Sequence, residues 1–302
     1  MSLPPQIRVL ERGWLSSNNI LIDDGDACVL IDSGYVAHAA QTLALLQHAL
    51  AGKPLARLIN THCHSDHMGG NAAVQRAHRC RISIPAGEAR AIADWDEAAL
   101  MLGHTGQSAE RFSHDDTIAA GDILRLGGIE WEALAAPGHD MNALMLHARE
   151  ARILISGDAL WQNGFGLIFP ELFGQTGGFA ATRATLQSIA RLDVDTVIPG
   201  HGAPFGEAAR ALDTAFARLD AYEREPAKLA RHAVKVILSF ALMIKGRLAL
   251  DELPRVLAET PFYGEINRRF LHLSETELRE YLLKDLQRAG ALKIEDGWML
   301  AA

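Results

Sequence analysis

Three imidazoles and one carboxylate fall within six residues of this chain, in the segment Thr61-His62-Cys63-His64-Ser65-Asp66-His67. Imidazole and carboxylate groups are ligands of zinc and of neighbouring divalent metals. Four such groups on one tight loop cannot easily reach a single ion. We expect His62 and His64 to point one way and Asp66 and His67 to follow one short step further on. The segment therefore predicts a loop that serves two adjacent metal ions.

Three further motifs follow predicted strands later in the chain: Pro137-Gly138-His139, Gly157-Asp158 and Pro199-Gly200-His201-Gly202. The glycines permit sharp backbone turns, which let the neighbouring side chains point into a common cleft. Such a set offers three histidines and a shared aspartate to one ion, and two histidines with two carboxylates to the other. Two ions about 3.5–4 Å apart bring the pKa of a shared water near neutrality and clamp substrate oxygens.

Other histidines and cysteines are given structural interpretations. An isolated histidine is usually structural, and the histidines outside these motifs, His232 among them, are expected at the surface or in the core. Cys63 lies between two potential ligands. Alternation of side-chain direction predicts that it points away from the metals.

The order of apolar patterns predicts two mixed sheets that face each other, with helices outside. Strands are predicted at 7–12, 19–23, 28–32, 58–60, 81–84, 123–126, 129–135, 143–147, 152–156 and 196–198. Helices are predicted at 36–50, 70–78, 87–101 and 179–191. These elements predict one catalytic domain over residues 1–206.

Residues 207–302 are nearly all helical in pattern and predict a second, smaller domain. Helices are predicted at 207–225, 227–245, 250–259 and 274–289, the last beginning with the capping box Ser274-Glu275-Thr276-Glu277. Residues 291–300 alternate around Asp296-Gly297, which predicts a hairpin. Helices followed by a hairpin are the element order of a winged-helix-like module.

Charge and cysteine content narrow the class of protein. The net charge of −8 argues against a general nucleic-acid binder, since phosphate affinity depends on clustered Lys and Arg. Residues 1–202 hold 14 Lys or Arg against 22 Asp or Glu, and residues 203–302 hold 15 against 15, which suits two units of different character. Three cysteines and the absence of an apolar leader predict a cytoplasmic protein without disulfides. The apolar run 234–244 is too short to span a membrane.

The histidine-rich segment 61–67, followed in order by His139, Asp158 and His201, resembles the metal motifs of the metallo-β-lactamase superfamily over residues 7–206. The resemblance implies an α+β fold, a four-layer αβ/βα sandwich with a small C-terminal helical, winged-helix-like domain. It implies one ion on His62, His64 and His139, a second on Asp66, His67 and His201, and Asp158 as the bridge. Asp32 matches the family's early aspartate, which braces the metal loop. Zinc is expected first for both divalent ions, and iron or manganese is compatible.

Residue Asp158 stands where the best-known β-lactamases of the superfamily have a cysteine. The resemblance is therefore to the glyoxalase II-like and nuclease-like branches. The sequence His139-Asp140-Met141-Asn142 departs from the glyoxalase II pattern, so a glutathione thioesterase is allowed but not favoured. The C-terminal residues resemble the tail of lactamase-β-2-like proteins, some of which are endoribonucleases. The candidate RNA-binding cations among these C-terminal residues are Arg268, Arg269, Arg279, Lys284 and Arg288. The same residues also suit a solvated helix face.

Hydrolysis of an ester, thioester or lactone carbonyl is the function expected first, by a hydroxide that bridges two divalent ions. Asp66 is the expected catalytic residue, orienting the nucleophile and taking part in its proton transfers. The alternative is a metal-dependent endoribonuclease or phosphodiesterase, and a non-catalytic binder is a third reading. The apolar loop 160–173 suits core packing, a homodimer surface or a pocket wall. A pocket wall favours a small acyl substrate over RNA.

Overall fold

Two β-sheets form the centre of the structure, a computed structural model that describes residues 3–302. The first sheet has six strands in chain order: β1 (Ile7–Leu10), β2 (Asn19–Asp23), β3 (Cys28–Ile31), β4 (Leu55–Ile59), β5 (Arg81–Pro85) and β6 (Asp116–Ile118). The second has five neighbouring strands: β7 (Ile123–Leu126), β8 (Ile129–Ala135), β9 (Leu144–Ala148), β10 (Ile153–Gly157) and β11 (Thr196–Pro199).

Strand direction brings particular strand ends together. In the first sheet β1, β2 and β3 are antiparallel, whereas β3, β4, β5 and β6 are parallel. In the second sheet β7 to β10 alternate in direction and β11 is parallel to β10. Strands β8, β10 and β11 therefore run the same way, as do β3 and β4. The carboxyl ends of same-direction strands share one edge of each sheet.

Helices cover the outer faces of both sheets and form much of the C-terminal part of the structure. They are α1 (Ala39–Ala49), α2 (Ser65–Met68), α3 (Asn71–His78), α4 (Ala89–Asp94), α5 (Phe169–Leu172), α6 (Gly178–Ile189), α7 (Ala208–Arg224), α8 (Pro226–Lys245), α9 (Leu253–Glu259), α10 (Pro261–Ile266) and α11 (Glu275–Arg288). Apolar residues of α1, α3 and α4 pack on the first sheet, and those of α6 and α7 pack on the second. No helix within residues 3–302 has the length and apolar character needed to cross a membrane.

A third apolar cluster fills the space between the two sheets. It joins Ile22, Ile31 and Ile59 of the first sheet to Trp131 and Ile155 of the second, all at most 1% exposed. The layers are thus helix, sheet, sheet and helix. The predicted four-layer αβ/βα sandwich is confirmed.

The C-terminal residues form helices around a three-stranded sheet. Its strands are β12 (Arg247–Ala249), β13 (Leu292–Glu295) and β14 (Trp298–Ala301), with β14 in the middle. The predicted hairpin is present, and its turn residues Asp296 and Gly297 have φ of 48° and 79°, as a tight two-residue turn requires. Apolar residues of α8 and α11 share one cluster with the outer face of the second sheet. The domain boundary at residue 206 stays a prediction.

Several element predictions were wrong in detail. The helix expected at 87–101 ends at Asp94, because Trp95 takes a left-handed conformation with φ of 55°. The helix expected at 70–78 is preceded by the separate short helix α2. Strands β6 and β12 were not predicted, since each has three residues and too little alternation to be distinguished from a loop.

Replacing Trp131 by Ala is expected to lower the free energy of unfolding by about 3–5 kcal/mol, because it opens a cavity between the sheets. The matched control is Ile123→Ala on the neighbouring strand, where the side chain is 50% exposed and the cost is expected to stay below about 0.5 kcal/mol. Urea denaturation in the presence of a chelator measures both. Similar midpoints for the two variants would contradict this placement of the core.

Candidate metal centre

The predicted ligands and the bracing residue Asp32 all lie in loops that follow the carboxyl ends of strands. Asp32 follows β3, and the segment that begins at His62 follows β4. In the second sheet His139 follows β8, Asp158 follows β10 and His201 follows β11. Because the two sheets pack face to face, the loops that follow β3 and β4 lie next to those that follow β8, β10 and β11. The site therefore lies where both halves of the sandwich contribute loops.

His62, His64 and His139 form the first group, whose potential ligand atoms all lie within 4.8 Å of one another. His64 Nδ1 is 2.8 Å from His139 Nε2, and His62 Nε2 is buried without a hydrogen-bond partner among residues 3–302. Burial lowers the pKa of His64 and of His139 to about 4 and holds the pKa of His62 well below its ordinary value. The rings are therefore neutral at pH 7, the form in which imidazole binds a metal.

Asp66, His67, Asp158 and His201 form the second group, again with potential ligand atoms within 4.8 Å of one another. His201 Nε2 lies 3.1 Å from Asp66 Oδ2, and His67 Nε2 lies 3.3 Å from Asp158 Oδ1. Burial raises the pKa of a carboxyl group, but His67 and His201 outweigh it and hold the pKa of Asp158 well below its ordinary value. A buried carboxylate held ionised among imidazoles suits a divalent cation.

Asp158 also joins the two groups. Its Oδ2 lies 3.4 Å from His139 Nε2 of the first group, while its Oδ1 faces His67 of the second. Gly200 makes room for this carboxylate, since a β-carbon there would come within 2.3 Å of Asp158 Oδ1. The structure thus brings all seven predicted ligands together in the predicted grouping. Cys63 lies apart from them, buried in the apolar cluster of the first sheet.

The carboxylate of Asp32 holds the metal loop in place. Its oxygens accept hydrogen bonds from the Thr61 backbone N–H (2.9 Å) and the Thr61 hydroxyl (2.8 Å), and Oδ2 lies 2.8 Å from His67 Nδ1. The last contact leaves His67 Nε2 pointing into the second group. A carboxylate behind a histidine fixes the ring orientation and raises its basicity as a ligand.

A second carboxylate network, missed by the sequence reasoning, lies behind the first group. Asp140 Oδ2 is 3.6 Å from His64 Nε2, and Asn142 donates its side-chain amide to Glu88 Oε1 at 2.9 Å. Burial and the neighbouring Asp140 raise the pKa of Glu88 to about 8. Asp140 and Asn142 lie in the segment after His139 where the sequence departs from the glyoxalase II pattern. That departure was the only sign of this network in the sequence. Glu88 gave none, because it is distant along the chain from Asn142.

Aromatic side chains surround the opening of the centre. Trp14 is 55% exposed and stacks on the His201 ring at 5.5 Å between centroids. Trp161 donates its indole N–H to Asp158 Oδ1 at 3.2 Å and contacts Trp14 edge to face. Phe169 contacts the rings of His64 and His139. The segment 160–173, whose role the sequence left open, therefore supplies part of the wall of the site.

A cavity of about 570 Å³ extends from the centre to the C-terminal helices. The predicted ligands His64, Asp66 and Asp158 line one end. Apolar residues from distant parts of the chain line much of the rest, among them Met101, Leu167, Phe240 and Met243. His232, expected to be structural, also lines it. Such a cavity is of the size that holds a small organic molecule.

Replacing Asp32 by Ala is expected to lower the free energy of unfolding by about 2–4 kcal/mol, because Thr61 and His67 lose a buried acceptor. The variant is also expected to retain less metal. Urea denaturation and elemental analysis measure the two effects. Asp26→Ala, at an exposed position on the preceding loop, is the control and should change neither. An Asp32→Ala variant with unchanged stability would contradict the bracing role.

Comparison with known proteins supports the same fold and motif. The family model described as metallo-beta-lactamase superfamily matches residues 12–201. A hydroxyacylglutathione hydrolase of Polaromonas sp. is 34% identical over 153 residues, which are 50% of this chain and 49% of that protein. A hydroxyacylglutathione hydrolase of Xanthomonas euvesicatoria is 29% identical over 240 residues, or 77% of this chain and 78% of that protein. The chain spans about half the length of the first of these relatives.

Solved structures agree with the architecture. A beta-lactamase domain protein from Burkholderia ambifaria superposes with a TM-score of 0.63 and 20% identity, covering 100% of this chain and 94% of that chain. A protein crystallised in a di-iron-bound form superposes with a TM-score of 0.55 and 25% identity, covering 69% of this chain and 98% of that chain. With a family match that spans residues 12–201, the chain belongs to the metallo-β-lactamase superfamily.

Proposed function

We propose that this protein is a metal-dependent hydrolase that cleaves an acyl compound, with a thioester as the first candidate and an ester or lactone as the others. The observation that carries the proposal is the pair of buried ligand groups joined by Asp158. The relatives named hydroxyacylglutathione hydrolase support a thioester, because that name describes a thioester hydrolase.

The donor set fits two divalent cations. Five imidazoles and two carboxylates converge at the centre, and His62 Nε2 and His67 Nε2 are buried there without a hydrogen bond to residues 3–302. Nitrogen and oxygen donors of this kind suit zinc first, and iron or manganese as well. Two such ions would make water a nucleophile at neutral pH by lowering its pKa, and their positive charge would polarise the carbonyl.

Asp66 is the proposed catalytic residue. Its carboxylate lines the cavity, and Oδ2 is held by His201 Nε2 at 3.1 Å. The side chain is therefore both fixed in orientation and open to a molecule in the cavity. A carboxylate so placed can orient the attacking water and take up or return its proton as the carbonyl is attacked. The aromatic residues Trp161 and Phe169 line the cavity beside it.

The cavity wall favours an acyl substrate over RNA. Apolar side chains dominate the surface beyond the ligand residues, where Arg218 and Lys235 are the lining Arg and Lys residues, whereas RNA binding requires a row of cations along the path of the phosphates. The candidate RNA-binding cations of the C-terminal helices are not among the residues that line the cavity. A metal-dependent endoribonuclease is therefore the second candidate, and the substrate panel described below distinguishes it from an acyl hydrolase.

The purified chain is expected to bind two divalent ions, and Asp158→Ala is expected to bind fewer, because that carboxylate faces both groups. Elemental analysis after dialysis against a metal-free buffer measures the ratio of metal to protein. Asp26→Ala is again the control and should bind as many ions as the unchanged protein. A ratio near one for the unchanged protein would contradict the two-ion proposal.

The zinc-loaded protein is expected to hydrolyse at least one acyl compound in a panel of thioesters, esters and lactones, and to leave single-stranded RNA intact. Asp66→Asn is expected to lower kcat by roughly 10²–10⁴-fold, the range for loss of a proton-transfer group. Metal analysis of this variant separates loss of catalysis from loss of the ions. Cleavage of RNA that disappears in Asp66→Asn, with every acyl compound inert, would favour the alternative function.

A further inference from the structure

Each histidine of the first group has one ring nitrogen directed at the other ligands and one directed away from them. His64 Nδ1 and His139 Nε2 lie 2.8 Å apart, so these two nitrogens face each other inside the group. The outward nitrogen of His139, Nδ1, donates to the Leu167 carbonyl at 2.6 Å. The outward nitrogen of His62, Nδ1, lies 3.1 Å from the Thr61 hydroxyl. Both of these outward partners are uncharged.

The outward nitrogen of His64 faces a carboxylate instead. Asp140 Oδ2 lies 3.6 Å from His64 Nε2, and both side chains are only 11% exposed. This separation is longer than a hydrogen bond, so the contact is electrostatic. A carboxylate beside Nε2 favours the ring form that carries its proton on that nitrogen. The same form leaves the Nδ1 lone pair free for a cation.

A short turn of the backbone directs the Asp140 carboxylate at His64. The other carboxylate oxygen, Oδ1, accepts a hydrogen bond from the Asn142 backbone N–H at 2.6 Å. Aspartate often closes a turn in this way, by bonding to the backbone two residues further along the chain. Because Oδ1 is occupied by the turn, Oδ2 is the oxygen that faces His64.

Two further side chains support this carboxylate from behind. Asn142 donates its side-chain amide to Glu88 Oε1 at 2.9 Å, and Glu88 is buried. Gly87 makes room for the contact, since a β-carbon there would come within 2.2 Å of Asn142 Oδ1. The carboxyl groups of Glu88 and Asp140 are also hydrogen-bonded to each other. Residues after β5 and residues after β8 therefore hold Asp140 together.

We propose that Asp140 is a positioning residue for the first metal site, which holds His64 with Nδ1 directed at the ion. The inference rests on the two-ion centre of the proposed function. Asp32 has the corresponding place in the second group, 2.8 Å from His67 Nδ1. Each group then has one histidine backed by a carboxylate. Asp140 lies where the sequence departs from the glyoxalase II pattern, so the resemblance does not imply this role.

Nuclear magnetic resonance of the zinc-loaded protein tests the orientation of His64 without a variant. Long-range proton–nitrogen spectra show which ring nitrogen binds zinc and which carries the proton. The signals of His64 are identified by their loss in His64→Gln. Zinc is expected on Nδ1 and the proton on Nε2. Zinc on Nε2 would overturn the proposal, because Asp140 would then face the ligand atom.

Asp140→Asn tests the carboxylate itself. The amide keeps the size of the side chain and the oxygen that closes the turn, but places an NH₂ group, which cannot accept a proton, against His64 Nε2. One of the two zinc ions is expected to bind about 10–100-fold more weakly, the usual cost of losing such a partner. Competition with a chelating indicator measures the affinity of both ions. The Nε2 proton signal of His64 should also move upfield.

Asp96→Asn is the matched control. Asp96 is exposed, and its Oδ1 accepts a hydrogen bond from the Ala98 N–H at 3.1 Å in the same kind of turn. This variant should bind both ions as the unchanged protein does. Glu88→Ala removes the support behind Asp140 and leaves the turn intact. It is expected to weaken the same ion as Asp140→Asn, to a smaller extent.

The outcomes separate this inference from the function on which it rests. Unchanged affinity for both ions in Asp140→Asn and Glu88→Ala would overturn the positioning role, as would an equal loss in Asp96→Asn. If the loaded protein cleaves no acyl compound but Asp140→Asn still loses affinity for one ion, the hydrolase proposal fails and the positioning role stands. If acyl compounds are cleaved and Asp140→Asn binds both ions as tightly as the unchanged protein, the positioning role fails and the hydrolase stands.

Discussion

The carboxylate of Asp32 accepts hydrogen bonds from the Thr61 N–H and hydroxyl and faces His67 Nδ1, all in the interior of the protein. These contacts join the end of β3 to the end of β4. They fix the beginning of the metal loop at Thr61 and its last histidine at His67. Asp32 itself adopts a left-handed conformation with φ of 56°, which aspartate tolerates better than most residues. The geometry of both ligand groups depends on this one buried acceptor.

Contacts across the sandwich keep the two sets of loops in register. The backbone N–H of Leu144 donates to the Thr61 carbonyl at 2.8 Å, which ties the second sheet to the metal loop. Asn18 donates its side-chain amide to the carbonyls of Pro199 and Gly202, at 3.0 and 2.7 Å, on either side of His201. Polar groups buried at these ends are satisfied by partners from the opposite sheet. The ligand loops are therefore positioned by hydrogen bonds as well as by the apolar core.

The sequence predicted those features that depend on local pattern. Alternating apolar residues identified most strands, and the spacing from His62 to His67 identified the metal loop. The candidate ligands His139, Asp158 and His201 were predicted because each follows a strand beside a glycine that allows a sharp turn, and because their order resembles the metal motifs of the superfamily. Strand β12 and the end of the helix at Asp94 were not predicted, since three residues or one left-handed residue leave little periodic signal. Local chemistry was thus easier to predict than the bounds of short elements.

Features made by distant residues could not be predicted in this way. Glu88 lies near the metal loop only because the first sheet places β5 beside β4. Arg218 and Lys235 line the cavity because of how α7 and α8 pack, and a helical pattern does not specify that packing. In the sequence these cations are indistinguishable from those of a solvated helix face. The ion pair of Lys235 with Asp285, fifty residues away, likewise becomes visible only in three dimensions.

Asp158 belongs to the second sheet, whereas His62, His64, Asp66 and His67 belong to the first. A cation bound by both sets would act as a cross-link between the two halves of the sandwich. Metal binding of this kind would raise the free energy of unfolding by RT ln(1 + [M]/Kd), where [M] is the free metal concentration. The supply of metal would then determine the stability of the folded chain as well as its activity. Starvation for metal would make the protein a better substrate for proteases, because the sheets would separate more often.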